Sequence, residues 1–210
     1  GPDYFVEGVG TPDMVGGITT YPYTLEGWLK PTGSPYTGEH WLMAWQDTEG
    51  GTDDYIAVAA SWTSIAAPTE GPWKVLVCED GTETEYETPA CTAPHFTWPW
   101  HDLSSEWNHV VLTATSTGFV LYVNGRVMMD RSVTMPTFPT RGYRFVGGAS
   151  LDESGASDDV QEKCNGHVWG YAVYDVSLSH EQVARHYMAA TRCYDLQLER
   201  GTDGNGADVT

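Results

Sequence analysis

From Glu106 to Ala190, apolar and β-branched residues come in short runs broken by turn-forming pairs. In EWNHVVLTATSTGFVLYVNGRVMMD (106–130) such runs flank Ser116-Thr117-Gly118 and then Asn124-Gly125. An Asn-Gly pair between strand-like runs predicts a two-residue hairpin, because both turn positions require positive φ. RGYRFVGGAS (141–150) and GHVWGYAVY (166–174) continue the strand pattern. Only beyond Tyr174 does the period change. Ser179 and Gln182 form a capping box, and Val183, His186 and Tyr187 recur at helical spacing, which predicts one short helix closing by Ala190.

The first half reads the same way, with strands expected at Tyr4–Val6, Thr24–Lys30, Trp41–Gln46, Tyr55–Ser61 and Trp73–Cys78. A two-residue loop at Asp80-Gly81 would set Lys74 opposite Glu87 and Val75 opposite Tyr86. Strand alternation then sends Val75, Val77, Thr84 and Tyr86 to the core and Glu83, Glu85 and Glu87 outward. Trp28, Trp41, Trp107 and Trp169 lie within strand patterns and are expected in the core. Two long connections interrupt the strands: 88–105, rich in proline and aromatics, and 150–165, acidic with small residues. Loops of that length inside a domain are functional or pinned by packing. The chain therefore reads as all-β, a single antiparallel two-sheet sandwich over residues 1–195 with a polar tail at 196–210.

The order Trp107-x-His109-Val110, then Leu121 to Gly125, Gly166, Tyr174 and Leu178 to Val183, resembles the laminin G-like domains of the concanavalin A-like lectin/glucanase superfamily. YTLEGWLKP (Tyr23 to Pro31) resembles the early strand of the same family, so the resemblance covers most of residues 4–190. It implies a jelly-roll sandwich that binds glycans or proteins, often with calcium at its rim. It does not imply catalysis.

Charge narrows the partners. Asp plus Glu number 29 against 10 Lys plus Arg, a formal net charge of −19. Nucleic acid is excluded, since phosphate contacts need Lys and Arg clusters. The carboxylates either meet divalent cations or form a solubilising surface. No window approaches the roughly 18 apolar residues of a membrane span, so membrane insertion is not expected. The Gly-Pro start fits a tag scar, a processed mature chain or a piece of something larger.

Four cysteines allow three disulfide connectivities and point to an oxidising compartment, with four reduced thiols in a cytosolic protein as the competing reading. The favoured pairs are Cys78–Cys91 and Cys164–Cys193, the second resembling a staple of laminin-type modules.

Several constellations invite chemistry. Glu83, Glu85 and Glu87 have the alternate spacing of glycosidase carboxylates, but lack the central aspartate and sit beside a hairpin turn, so a solvated face is the better account. His180 and His186 are six apart, the wrong helical angle for a shared zinc. Calcium needs six to eight oxygens, and two acidic loops offer carboxylates: Asp53 and Asp54 (with Asp47 and Glu49), and Asp152, Glu153, Asp158 and Asp159. Phe96, Trp98, Trp100 and His101 crowd one loop, where indole faces would pack against sugar rings, fold back over the sheet, or meet a neighbouring subunit.

Together these features lead us to expect a non-catalytic, extracellular recognition or adhesion module, secreted or on a particle surface. It would bind a glycan or glycoprotein through rim loops, with Ca2+ assistance. The alternative is a structural subunit or decoration domain of an extracellular filament, sheath or virion, in contact with copies of itself or with neighbouring subunits.

Overall fold

The computed structural model describes residues 6–8, 20–31, 38–47, 55–62, 73–88, 107–136, 143–147, 150–151, 160–161 and 166–199. Side chains are described for 20–29, 41–45, 55–60, 73–88, 107–136 and 169–191. The strands are β1 (Val6–Gly8), β2 (Tyr23–Pro31), β3 (Gly38–Asp47), β4 (Tyr55–Trp62), β5 (Trp73–Glu79), β6 (Thr82–Glu87) and β7 (Asn108–Thr115). They continue with β8 (Gly118–Val123), β9 (Arg126–Ser132), β10 (Tyr143–Gly147), β11 (Ser150–Leu151), β12 (Val160–Gln161) and β13 (Gly166–Tyr174). One helix, α1 (His180–Glu199), follows.

Two antiparallel sheets form a jelly-roll sandwich. One is six-stranded, in the order β1-β10-β3-β4-β5-β6; the other is five-stranded, in the order β13-β2-β7-β8-β9. A small ladder joins β11 to β12. The core lies between the large sheets, and register builds it in rows. Val173, Leu25, Leu112, Leu121 and Met129 are successive partners across the five-stranded sheet. Trp45, Ile56 and Val77 make the facing row. All of them are buried or pack directly on the buried core, and Tyr171 ties the layers together by donating to the Leu42 carbonyl at 2.8 Å. Fully burying each such aliphatic side chain contributes roughly 1.5–3 kcal/mol.

The hairpins form where the turn chemistry placed them. Asp80 and Gly81 have φ of 51° and 71°, and Asn124 and Gly125 have 50° and 73°, the positive pair of a type I′ turn. Lys74 pairs with Glu87 and Val75 with Tyr86, as expected. Val75, Val77 and Tyr86 join the core side and the three glutamates face out. Thr84 does not become buried, because β6 is the edge strand of its sheet.

The helix is longer than its periodicity suggested, running to Glu199 and so past the expected start of the tail at 196. Its start is as expected. Ser179 N–H donates to Gln182 Oε1 at 2.8 Å, and Gln182 N–H donates to Ser179 Oγ at 3.3 Å. Leu178 and Val183 share one buried cluster with Val111 and Tyr122, a hydrophobic staple that fixes the helix against the sheet.

Two β-bulges decide where the tryptophans go. Between Trp41 and Met43, and again between Val168 and Gly170, the register slips by one residue. A slip reverses the faces on either side of it. Met43 and Trp45 point inward, while Trp41 joins Ala44, Ala57, Ala59 and Leu76 on the outer face of the six-stranded sheet. Tyr171 and Val173 face the core, while Trp169 is thrown outward and is 64% exposed. The expectation of a core position holds for Trp41, which is 5% exposed in its own buried cluster, and is corrected for Trp28, Trp107 and Trp169. Trp41 is buried on an outer face, Trp28 and Trp107 are half-buried, and the sandwich core uses Trp45 and Trp73.

Candidate functional site

The densest polar cluster among the described residues lies on the outer face of the five-stranded sheet, beneath α1. Outward positions of β2 are Thr24, Glu26 and Trp28, with β13 on one side and β7 on the other. Glu26 sits in an otherwise apolar row, between Ala172 and Val111, with Tyr122 next. An unpaired carboxylate there would be very costly. It is instead fully engaged. Its Oε1 accepts from His109 Nε2 at 2.7 Å, and its Oε2 accepts from the Tyr174 hydroxyl at 2.7 Å and from His186 Nδ1 at 3.0 Å. His109 and Tyr174 reach it diagonally from the flanking strands, and His186 reaches down from the helix.

Burial pushes the Glu26 carboxyl up, but hydrogen bonds from His109, Tyr174 and His186 outweigh it and bring the pKa from 4.5 to about 2. The Tyr174 hydroxyl moves up, first through burial and then through its bond to Glu26. Since Glu26 is ionised and only accepts, Nε2 of His109 carries a proton. A carboxylate that acidic, enclosed by three donors, cannot deliver a proton to a substrate near neutrality. Its work is to clamp three elements together.

The clamp has a signature in acid. The folded carboxyl holds its proton less tightly than the unfolded one, so its contribution is complete above about pH 4.5 and lost as pH falls toward about 2. It amounts to about 3 kcal/mol. Urea unfolding between pH 5 and pH 2 is expected to show this decline, and Glu26→Gln to lack that part of the slope.

An aromatic stack continues from the clamp. The Trp28 ring lies 4.7 Å from His109 at 26° and 6.1 Å from Tyr187 at 10°. Trp169 meets Trp28 edge-on, 5.7 Å away at 65°. Gly125 permits this arrangement, because a Cβ there would stand 3.2 Å from the Tyr187 ring. Asn124 holds the turn by accepting from the His109 N–H at 2.9 Å and donating its own N–H to the His109 carbonyl at 2.8 Å.

The outer face of the six-stranded sheet has a different character. Ala44, Ala57 and Leu76 are cross-strand partners in one buried row that ends at Glu85. Lys74 bonds Glu85 at 2.8 Å and Glu87 at 3.2 Å, and the Tyr55 hydroxyl donates to Glu83. The bond shared with Glu87, and then Lys74, hold the Glu85 carboxyl below the ordinary range, the direction opposite to that of a general acid.

Of the residues singled out from the sequence, Phe96, Trp98, Trp100, His101, Asp53, Asp54, Asp152, Glu153, Asp158 and Asp159 lie outside the described residues. So do Cys91, Cys164 and the side chain of Cys193, while Cys78 is buried on β5 opposite Tyr55. Among the described residues, no group of three His, Cys, Asp or Glu is arranged to hold a metal ion, and no helix is long and apolar enough to cross a membrane. His180 stacks on Tyr122 at 5.8 Å, whereas His186 serves Glu26. The Glu26 clamp escaped the sequence reading. Its one signal is a lone acid at an outward position of YTLEGWLKP, with a histidine two places after Trp107 on the partner strand.

Comparison with known families matches residues 7–184 to the concanavalin A-like lectin/glucanases superfamily. Comparison with curated proteins returns no match. Among solved structures, the chain is similar to the CBM40 of the Ruminococcus gnavus IT-sialidase bound to α2,3-sialyllactose. The TM-score is 0.59 at 17% identity, over 85% of this chain and 92% of that one. It is also similar to a native heptameric SAP-like pentraxin from Limulus polyphemus, with TM-score 0.55 and 15% identity over 79% of this chain and 69% of that one. A Trypanosoma rangeli sialidase in complex with 2,3-difluorosialic acid matches at TM-score 0.56 and 16% identity, over 83% of this chain but 24% of the sialidase.

Proposed function

We propose, since the chain belongs to the concanavalin A-like lectin/glucanases superfamily, that it is a non-catalytic extracellular recognition module that binds carbohydrate and serves adhesion. One observation carries this reading. The chain aligns with nearly the whole of a carbohydrate-binding module, 92% of it, but with only 24% of a sialidase. What it shares with the enzyme therefore falls far short of the enzyme's full length.

The rim loop at 88–105 supplies the contacts in this proposal: Trp98 and Trp100 as platforms, with Phe96 beside them and His101 for hydroxyls. Rigid amphipathic rings suit sugars because they lose little conformational freedom on binding. Calcium assists, held by Asp53 and Asp54 or by Asp152, Glu153, Asp158 and Asp159. These two acidic segments attach at opposite ends of β10. β4 begins at Tyr55, opposite Gln46 near the Tyr143 end, whereas β11 follows the Gly147 end.

The test is a glycan array probed with and without chelator. Binding of at least one glycan is expected, with loss of about tenfold or more in a Trp98→Ala/Trp100→Ala variant. Silence under both conditions at high protein concentration rejects the proposal. Light scattering with calcium present addresses the alternative of a structural subunit, which a monodisperse monomer would exclude.

A further inference from the structure

We propose a second sugar contact on the sheet face itself, a corner formed by Trp169 and Trp28 that takes the apolar face of a neutral β-linked glucose or galactose unit. It rests on the recognition reading above and adds a site that the rim loop does not contain.

The corner has two walls. Trp28 is held rigid by His109 and Tyr187, and Trp169 stands at 65° to it with 64% of its surface open. The bulge at Val168/Gly170 is what aims Trp169 there. Such a wall costs a ligand little, since the ring stack is already ordered before binding. A β-linked glucose or galactose presents its axial H1, H3 and H5 on one face, with hydroxyls around its edge. The indole takes the first. For the second, β13 pairs with β2 alone among the described residues, and Trp169 has no register partner across the bulge. Among the described residues no strand pairs with the outer edge of β13, whose N–H and C=O groups lie beside the ring.

Size and charge select the occupant. A tryptophan carries at most about 250 Å², so the open part of Trp169 is roughly 160 Å². A stable protein partner needs about 800 Å² per side, whereas one pyranose ring needs far less. Of the other exposed large hydrophobics among the described residues, Val127 is on β9 at the opposite edge of the sheet and Val176 lies beyond the other end of β13, while Met188 follows Tyr187 on α1 and is 45% exposed. Adding Met188 still leaves the patch far below the area a protein partner needs. The net charge of −19 disfavours an anionic sugar. The corner also lies at the end of the sheet where the 88–105 connection enters, for Trp28 pairs with His109 and β7 begins at Asn108.

Tryptophan fluorescence and calorimetric titration with lactose and cellobiose, with α2,3-sialyllactose as the anionic comparator, test the site. Saturable binding of lactose or cellobiose is expected, weakened about tenfold in Trp169→Ala and largely kept in Trp169→Tyr. The exposed position leaves folding unaffected, which circular dichroism verifies. Wild-type affinity in Trp169→Ala overturns the corner while leaving the rim-loop reading intact. So does self-association of the wild type that Trp169→Ala abolishes, since the edge would then be a protein interface. A wild-type protein that binds nothing on the glycan array removes the recognition reading itself.

Discussion

Glu26→Ala is expected to lower the unfolding free energy by about 3–5 kcal/mol, a fall of roughly 10 °C in Tm for a chain of this size. The carboxylate is 6% exposed and joins β7 through His109, β13 through Tyr174 and α1 through His186. Alanine removes the acceptor and leaves the half-buried Tyr174 hydroxyl and the buried His109 N–H without their partner, so desolvation penalties add to the lost bonds. Glu26→Gln keeps the volume and one acceptor oxygen but offers its own N–H to groups that donate. It should fall between alanine and wild type. Tyr174→Phe, which removes only one donor, should cost about 1 kcal/mol. Thermal and urea unfolding of the three variants give the order directly. A loss below about 1 kcal/mol for Glu26→Ala would mean that the helix is held by the Leu178–Val183 cluster alone.

Gly118→Ala should be nearly as damaging, by at least about 3 kcal/mol, although it adds one methyl group. Gly118 has φ of 155°, and a Cβ built there would lie 2.1 Å from the Arg131 carbonyl oxygen and 3.1 Å from Ser132 Cα. Those atoms are backbone of the neighbouring strand and cannot step aside like a side-chain tip. The residue opens β8 and pairs with Thr115 on one side and Ser132 on the other. Relief therefore means parting β8 from β9, and with it the burial of Phe119, Leu121 and Met129. Gly81→Ala is the control: its φ of 71° is strained, but its Cβ would meet nothing within 4 Å. The loss there should be about 1 kcal/mol. Equal losses at the two positions would show that φ, not the carbonyl contact, sets the cost at Gly118.

Turn chemistry and alternation were legible along the chain because both are local. Asn124-Gly125 and Asp80-Gly81 each placed a hairpin, and the register set at Asp80-Gly81 sent Val75, Val77 and Tyr86 inward. The capping box at Ser179 likewise depends on four consecutive residues. The acid clamp was not legible. Glu26, His109, Tyr174 and His186 are as much as 160 positions apart, and each taken alone looks like an ordinary polar residue on a strand or helix.

The amino-acid order by itself determined an all-β sandwich of this superfamily, its central hairpins and the start of its helix, since period and turn residues act over a few neighbours. The tertiary structure alone decided which tryptophans are core and which are surface. A bulge is a mismatch between two strands, invisible in either one, and one extra residue at Val168/Gly170 turned Trp169 from the interior to solvent.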